Sequence, residues 1–450
     1  MKLNNKKIKF LKNMKFNSQI LSTIALILFF CSAVLAQNPT PGNKQTKSIL
    51  INGATIHDGV NGVYNDASLG FANGKIVYLS YLKNDNDEKI LWDTIIDAKG
   101  KHVYPGIIAL NTNLGLSEIE AIRAMNDYAE VGNNNPSARA LIAYNTDSKV
   151  TPTVRSNGIL MAQITPQGGV ISGSSSVVNL DAWNWEDAAY KADEGIHINW
   201  PSMRVYHGNG SDQDDFEKKQ KERIAKEIEF IESLFADAYA YQLNANPVSK
   251  NLNLEAMRGL FNGTKKLYIH ADYVKEIIAA INLCNQYKLS FTLVGAADAA
   301  LVLNLIKENN VNVILGRTHT LPSRDDDDIE APYVLPKKLF DAGIVFALSC
   351  EGFWQVRNLP FIAGTAAAYG LSKEQALSSI TYQPAKILGI DKTVGSIQKG
   401  KDATLLICDG DLLDMKSSNI KLAFIQGRKI NLDNIQHQLY QKYKSKYGIK

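Results

Sequence analysis

A TIM-type (β/α)8 barrel of the α/β class, joined to a small composite β-sandwich domain built from both chain ends, is the fold this sequence predicts. Three observations predict it. Apolar strand-like runs alternate with amphipathic helical stretches over residues 105–390, short β-rich pieces split by turn signals fill residues 48–104, and β patterning returns over residues 391–430.

The elements follow in order. Residues 2–16 are rich in Lys and Asn, an apolar run spans Ile20 to Ala36 and ends in small residues, and polar Gln37-Asn38-Pro39 comes next. That pattern predicts a secretory signal peptide over residues 1–36, cut after Ala36, and hence an exported protein, periplasmic or extracellular. The run is too short and too interrupted by Ser22, Thr23 and Ser32 for a membrane anchor. Residues 1–36 carry six lysines and no acid, so removing them turns a chain of 49 basic and 45 acidic residues into one of 43 against 45. A near-neutral mature chain has no electrostatic footprint for nucleic acid or for an anionic membrane. Cys284, Cys350 and Cys408 are odd in number and widely spaced, so no disulfide framework is visible.

SILING, ATIHDGV, ASLGF and KIVYLSYL read as the strands of the small β unit, and Pro105-Gly106 breaks the chain before a fully apolar IIAL, a strand buried on both faces. GILMAQI, KLYIHA, FTLVGA, NVILG and IVFALS continue the strand series. Between them lie a long charged helix from about Asp212 to Leu243 and helices through Glu276–Gln286, Leu301–Lys307 and Lys337–Ala342. Such alternation implies a parallel sheet with crossovers, closed at this length into a barrel. TVGSIQKGKDATLLICDG and LAFIQGRKI return to the small domain, and residues 431–450 form a C-terminal helical tail.

IIDAKGKHVYPGII followed by a strand end, and later TYQPAKILGIDKTVGSIQKGKDATLLICDGD, resemble the entry and exit signatures of the metal-dependent amidohydrolase superfamily. The order Pro384-Ala385, Gly395, Gly400-Lys401-Asp402-Ala403 is the specific part, and the likeness is to an exported imidazolonepropionase- or dihydroorotase-like member with a degenerate metal motif. The resemblance implies a barrel with a small β-sandwich, and hydrolysis of non-peptide carbon–nitrogen bonds by a hydroxide held on one or two divalent metals. It further implies a His-x-His at the end of the first barrel strand and an Asp at the end of the last. Here the first motif reads Asn111-Thr112-Asn113 and the last strand presents Ser349-Cys350-Glu351-Gly352.

Asn offers a neutral amide oxygen, suited to calcium or magnesium and weak for zinc. If a zinc site is worth roughly 10–16 kcal/mol over about four ligands, losing two removes on the order of 6 kcal/mol, or about four decades of affinity. A standard zinc site is therefore not expected, although a divalent metal stays open as cofactor. His270 falls where the fifth-strand ligand would lie. Glu351 could stand in for the missing Asp and, with His319, is a catalytic candidate; Cys350 could serve as a thiolate ligand. Asn111, Asn113, Arg317 and Arg357 are candidates for substrate binding, together with Gly168, Gly169 and Ser174 in TPQGGVISGSSSVVNLD, read as a Gly/Ser-rich loop whose backbone N–H groups could cradle an anion. His197 and His207 lack ligand spacing, and Asp325–Asp328 reads as a solvated surface run. Trp183, Trp185 and Trp354 are candidate pocket walls, with core packing favoured for the first two.

Two functions follow. One is an amidohydrolase acting on a small-molecule amide through a non-standard or depleted metal site. The other is a catalytically inactive binding or regulatory relative. On either reading the partners are a small-molecule substrate or ligand, with a homo-oligomer or association with an active amidohydrolase as further options.

Overall fold

The computed structural model describes residues 40–82, 91–206, 213–322, 324 and 326–449. The leading segment 1–36, His207 and Asp325 lie outside the described residues. No helix among the described residues is long and apolar enough to cross a membrane.

Two eight-stranded sheets organise the chain. The first contains β1 (Ile49–His57), β2 (Val63–Ala72), β3 (Lys75–Leu79), β4 (Thr94–Asp97) and β5 (His102–Pro105), with β14 (Leu405–Asp409), β15 (Asn419–Ile425) and β16 (Arg428–Lys429) from the other chain end. The ends meet where β14 pairs antiparallel with β5, Leu405 opposite Pro105 and Cys408 opposite His102. Ile51, Leu69, Phe71, Val103, Leu405 and Phe424 are among the residues of its own buried core. One residue, Gly106, separates β5 from the first barrel strand, so this sheet feeds the barrel directly.

The second sheet runs β6 (Ile107–Thr112), β7 (Ile159–Ile164), β8 (Ile171–Asn179), β9 (Ala189–Asn199), β10 (Lys266–Ala271), β11 (Phe291–Gly295), β12 (Asn312–Leu315) and β13 (Phe346–Leu348). It is a nearly closed barrel. Strands β13 and β6 do not pair; Leu348 N–H donates to Ser379 O at 3.0 Å and Ile108 N–H to Ile380 O at 3.0 Å, so the segment 379–381 bridges the gap.

The expectation of an all-parallel barrel is corrected at one place. β8 is antiparallel to both β7 and β9, while the other neighbours run parallel. Most of the segment read as an anion-cradling loop is this strand, and all nine strand residues are buried. Its small residues fit a tight space: a Cβ on Gly173, at φ +132°, would sit 2.7 Å from Ala138 O. Its N–H groups are spent as well, with Ser174 donating to Ala138 O at 2.7 Å. Burial of a Ser run was hidden because hydroxyls mimic loop composition until a buried acceptor satisfies them.

Inward-facing side chains stack in layers, as barrel interiors do. One layer is apolar and includes Ile108, Leu110, Met161, Val177, Tyr268 and Ile314, packed with Ala385, Ile387 and Leu388 of the helix Tyr382–Leu388. A polar layer contains Gln163, Ser175, Glu194 and His197.

Candidate active site

A cavity of about 780 Å³ opens where the barrel strands end. Its floor and walls come from the residues just past β6 (Asn113), β7 (Gln167), β10 (Asp272), β11 (Asp298), β12 (Arg317, Thr318) and β13 (Glu351). Convergence of short strand-end segments from separate strands is the arrangement in which barrels of this class carry out chemistry.

Asp272 is positioned by the start of the helix Val274–Tyr287. Glu276, buried in its first turn, accepts from the N–H groups of Asp272 at 3.0 Å and Tyr273 at 3.1 Å, while Asp298 accepts from Val274 N–H at 3.1 Å. Two carboxylates therefore serve N–H groups of that helix end, and the Asp272 side chain lines the cavity, its Oδ1 accepting from Ala297 N–H at 3.4 Å. Gly295, at φ +93°, makes room for it: a Cβ there would lie 2.4 Å from Asp272 Oδ1. Desolvation raises the Asp272 pKa above its usual value, and the charges of Glu276, Glu351 and Asp298 add to the rise.

Asp298 is committed elsewhere. Arg324 Nη1 donates to its Oδ1 at 2.9 Å while Nη2 pairs with Oδ2, and Arg324 also reaches Asp327. Thr112 Oγ–H donates to Gly352 O at 2.7 Å, tying the end of the first barrel strand to the segment after the last and holding Glu351 beside the mouth.

Of the residues singled out from sequence, the structure brings Asn113, Arg317 and Glu351 together at the cavity. Asn111 is buried at φ +51° beside an irregularity in the β6–β7 register, its N–H donating to Gln163 Oε1 at 3.2 Å, and it does not line the cavity. Gly168 and Gly169 form the turn before β8, and Gly169 O accepts from Asn199 Nδ2 at 2.8 Å. Ser174 is buried in β8 next to Lys265. Arg357 donates to Trp354 O at 2.6 Å and lies over the Trp354 ring; His319 bonds Thr365 at 2.8 Å. Neither lines the cavity. Cys350 is buried, and burial pushes its thiol up to about 11.

His270 lies just inside the mouth, on β10, and is hydrogen bonded to His197 at 2.9 Å. Burial lowers its pKa to about 4 and that of His197 well below the ordinary value, so both rings are neutral. His197 Nε2 meets Ser175 Oγ at 2.9 Å, and Ser175 donates to Glu194 Oε1 at 2.6 Å. Gln163 Nε2 donates to the same oxygen at 2.7 Å and Tyr268 to Oε2 at 2.9 Å. This chain fixes the two imidazoles by hydrogen bonds.

The metals implied by the resemblance do not fit this side-chain set. Among the described residues no three His, Cys, Asp or Glu side chains group to hold an ion, and His270 spends one ring nitrogen on His197. The sequence reading missed Asp272, Asp298 and Arg324. Asp272 was legible, since it directly follows a strand-end KLYIHA, where barrel chemistry concentrates.

The model of the amidohydrolase family matches residues 207–430. An amidohydrolase from Thermotoga maritima superposes with a TM-score of 0.72 at 21% identity, covering 85% of this chain and 99% of that one. The chain belongs to the amidohydrolase superfamily. Among curated proteins, an imidazolonepropionase of Picrophilus torridus is 27% identical over 402 residues, 82% of this chain and 93% of its own length. The amidohydrolase TasK of Hapsidospora irregularis is 21% identical over 73% of this chain but 36% of its own length. A molinate hydrolase superposes with a TM-score of 0.52 at 14% identity, covering 86% of this chain and 95% of its own, a likeness of fold.

Proposed function

We propose that this chain is an exported hydrolase of a non-peptide carbon–nitrogen bond in a small molecule bound at the barrel mouth, with Asp272 as its acid–base group. The similarity to an imidazolonepropionase along most of both chains supports the reaction class. The observation that carries the reading is Asp272 itself, a strand-end carboxyl in the cavity whose pKa is raised by desolvation and by neighbouring carboxylates.

A carboxyl moved up toward the operating pH can serve both directions of a proton transfer. Ionised, Asp272 takes a proton from water as the water oxygen attacks the carbonyl carbon. Protonated, it returns that proton to the nitrogen as the carbon–nitrogen bond breaks, so carboxylic acid and amine leave and Asp272 is regenerated. Desolvation first, and then the charges of Glu276, Glu351 and Asp298, favour the protonated form of Asp272.

The test is a panel of cyclic imides, hydantoins and N-acylated amines, followed by the pH profile of any turnover. Turnover lost by about a hundredfold or more in Asp272→Asn, with the melting temperature unchanged, supports the assignment. Ligand binding without turnover across the panel would make the mouth a binding pocket. Stoichiometric zinc, manganese or iron in the purified protein, with turnover lost on His270→Ala, would place the chemistry on a metal and remove it from Asp272.

A further inference from the structure

We propose that the ligand of the barrel mouth carries a protonated nitrogen group, an ammonium or a guanidinium, received by Glu351 and Asn113 Oδ1 beside Asp272. This deepens the hydrolase reading by naming its substrate class, and it rests on that reading for the place of reaction.

Two independent observations meet here. The first is charge. Asp272 and Glu351 line the cavity without an ion-pair partner among the described residues, and Glu120, Asp326 and Asp328 add further carboxylates to its wall. Arg324 is already spent on Asp298 and Asp327, which leaves Arg317 and Lys338 as the cations of the described lining. These five carboxylates, exposed at the mouth, outnumber Arg317 and Lys338, and a surface of one dominant sign attracts an incoming cation.

The second is hydrogen bonding. Asn113 lines the same cavity at 7% exposure, and among the described residues its buried Oδ1 has no donor; Thr318, at 5% exposure, lines it with a hydroxyl that has no partner among them either. Buried polar atoms are normally satisfied, and leaving one unmade is costly. Thr318 can turn either way, but Asn113 Oδ1 accepts only. An ammonium or guanidinium supplies several N–H donors and a positive charge in one group, and accepts nothing. A divalent ion would need a closer ligand group than the described residues make.

The experiment uses three acetamides matched in length: N-acetylagmatine with a guanidinium, neutral N-heptylacetamide, and anionic N-acetyl-6-aminohexanoate. Binding to the full mature protein is measured by calorimetry at two salt concentrations, and acetate release is followed in parallel. N-acetylagmatine is expected to bind about ten- to a hundredfold more tightly than the neutral amide, the gain of charge-assisted hydrogen bonds, and the anion most weakly. In Glu351→Gln the guanidinium preference should fall at least tenfold while the melting temperature and the neutral amide's affinity hold. Asn113→Ala should cut guanidinium affinity selectively.

Equal binding of cation and neutral amide, or tightest binding of the anion, overturns the proposal. So does calcium or manganese alone binding at submillimolar concentration in a way lost with Glu351→Gln, because the carboxylates would then serve a metal. Tight guanidinium binding without acetate release supports this inference and counts against the hydrolase reading. Acetate released with no preference for the cation does the reverse.

Discussion

Replacing Glu194 by Ala should be among the most destabilising single changes in the barrel, whereas Glu194→Gln should be tolerated. The carboxylate is fully buried and accepts from Ser175 at 2.6 Å, Gln163 at 2.7 Å and Tyr268 at 2.9 Å. Truncation to Ala leaves three donors without an acceptor at about 1–3 kcal/mol each, and with partial relaxation roughly 4–6 kcal/mol in total. That is a large part of the ~5–15 kcal/mol by which a folded domain exceeds its unfolded state. In Glu194→Gln, the amide oxygen can keep the Ser175 and Gln163 bonds, and the Tyr268 hydroxyl can turn to accept from the new NH2, so the cost should be about 1 kcal/mol.

The charge state adds a second signature. Burial raises the Glu194 pKa in the folded state above its unfolded value, so the folded form binds more protons than the unfolded form between the two. The group therefore favours folding most below its unfolded pKa, and this contribution is lost as pH rises through the folded pKa. Glu194→Gln removes that loss, and its cost relative to wild type should shrink as pH rises. Urea denaturation of wild type and both variants at several pH values measures all of this. The reasoning is refuted if Glu194→Ala stays within 1 kcal/mol of wild type, or if the Gln variant costs as much as the Ala variant.

Three further outcomes follow from the same chemistry. His270 has its pKa lowered to about 4 by burial, so the unfolded state binds its proton first; stability should fall as pH drops from about 6.5 toward 4, by on the order of 3 kcal/mol for this ring alone, and His270→Asn should flatten the acid limb of a denaturation series. Cys284, Cys350 and Cys408 are free and buried, so native mature protein should resist maleimide at pH 7 and titrate three thiols once unfolded, as intact-mass spectrometry would show. If the leading segment is removed as its pattern implies, protein recovered from the exported fraction should begin at Gln37 on N-terminal sequencing.

The barrel strands were legible because they are continuous apolar runs with buried residues at nearly every position, IIALNT and ILMAQI among them. That pattern needs no knowledge of the partner. The antiparallel hairpin of β8 and β9 was not legible, because ISGSSSVVN has loop composition and becomes a strand only when Glu194, Asp193 and Ala138 stand opposite its hydroxyls and N–H groups. The cavity was half legible: Asn113, Arg317 and Glu351 were found at strand ends, while attention to histidines passed over Asp272, one residue beyond β10.

Local periodicity and the two flanking signatures determined by themselves the fold class and the family resemblance, because each is written in residues adjacent along the chain. Tertiary structure alone decided which carboxylates face one another, which arginine is already paired, and that His270 bonds to His197. Those facts depend on distances between strands far apart in sequence, and the strength of a charge or a hydrogen bond is set by what is brought near it and by how much water is shut out.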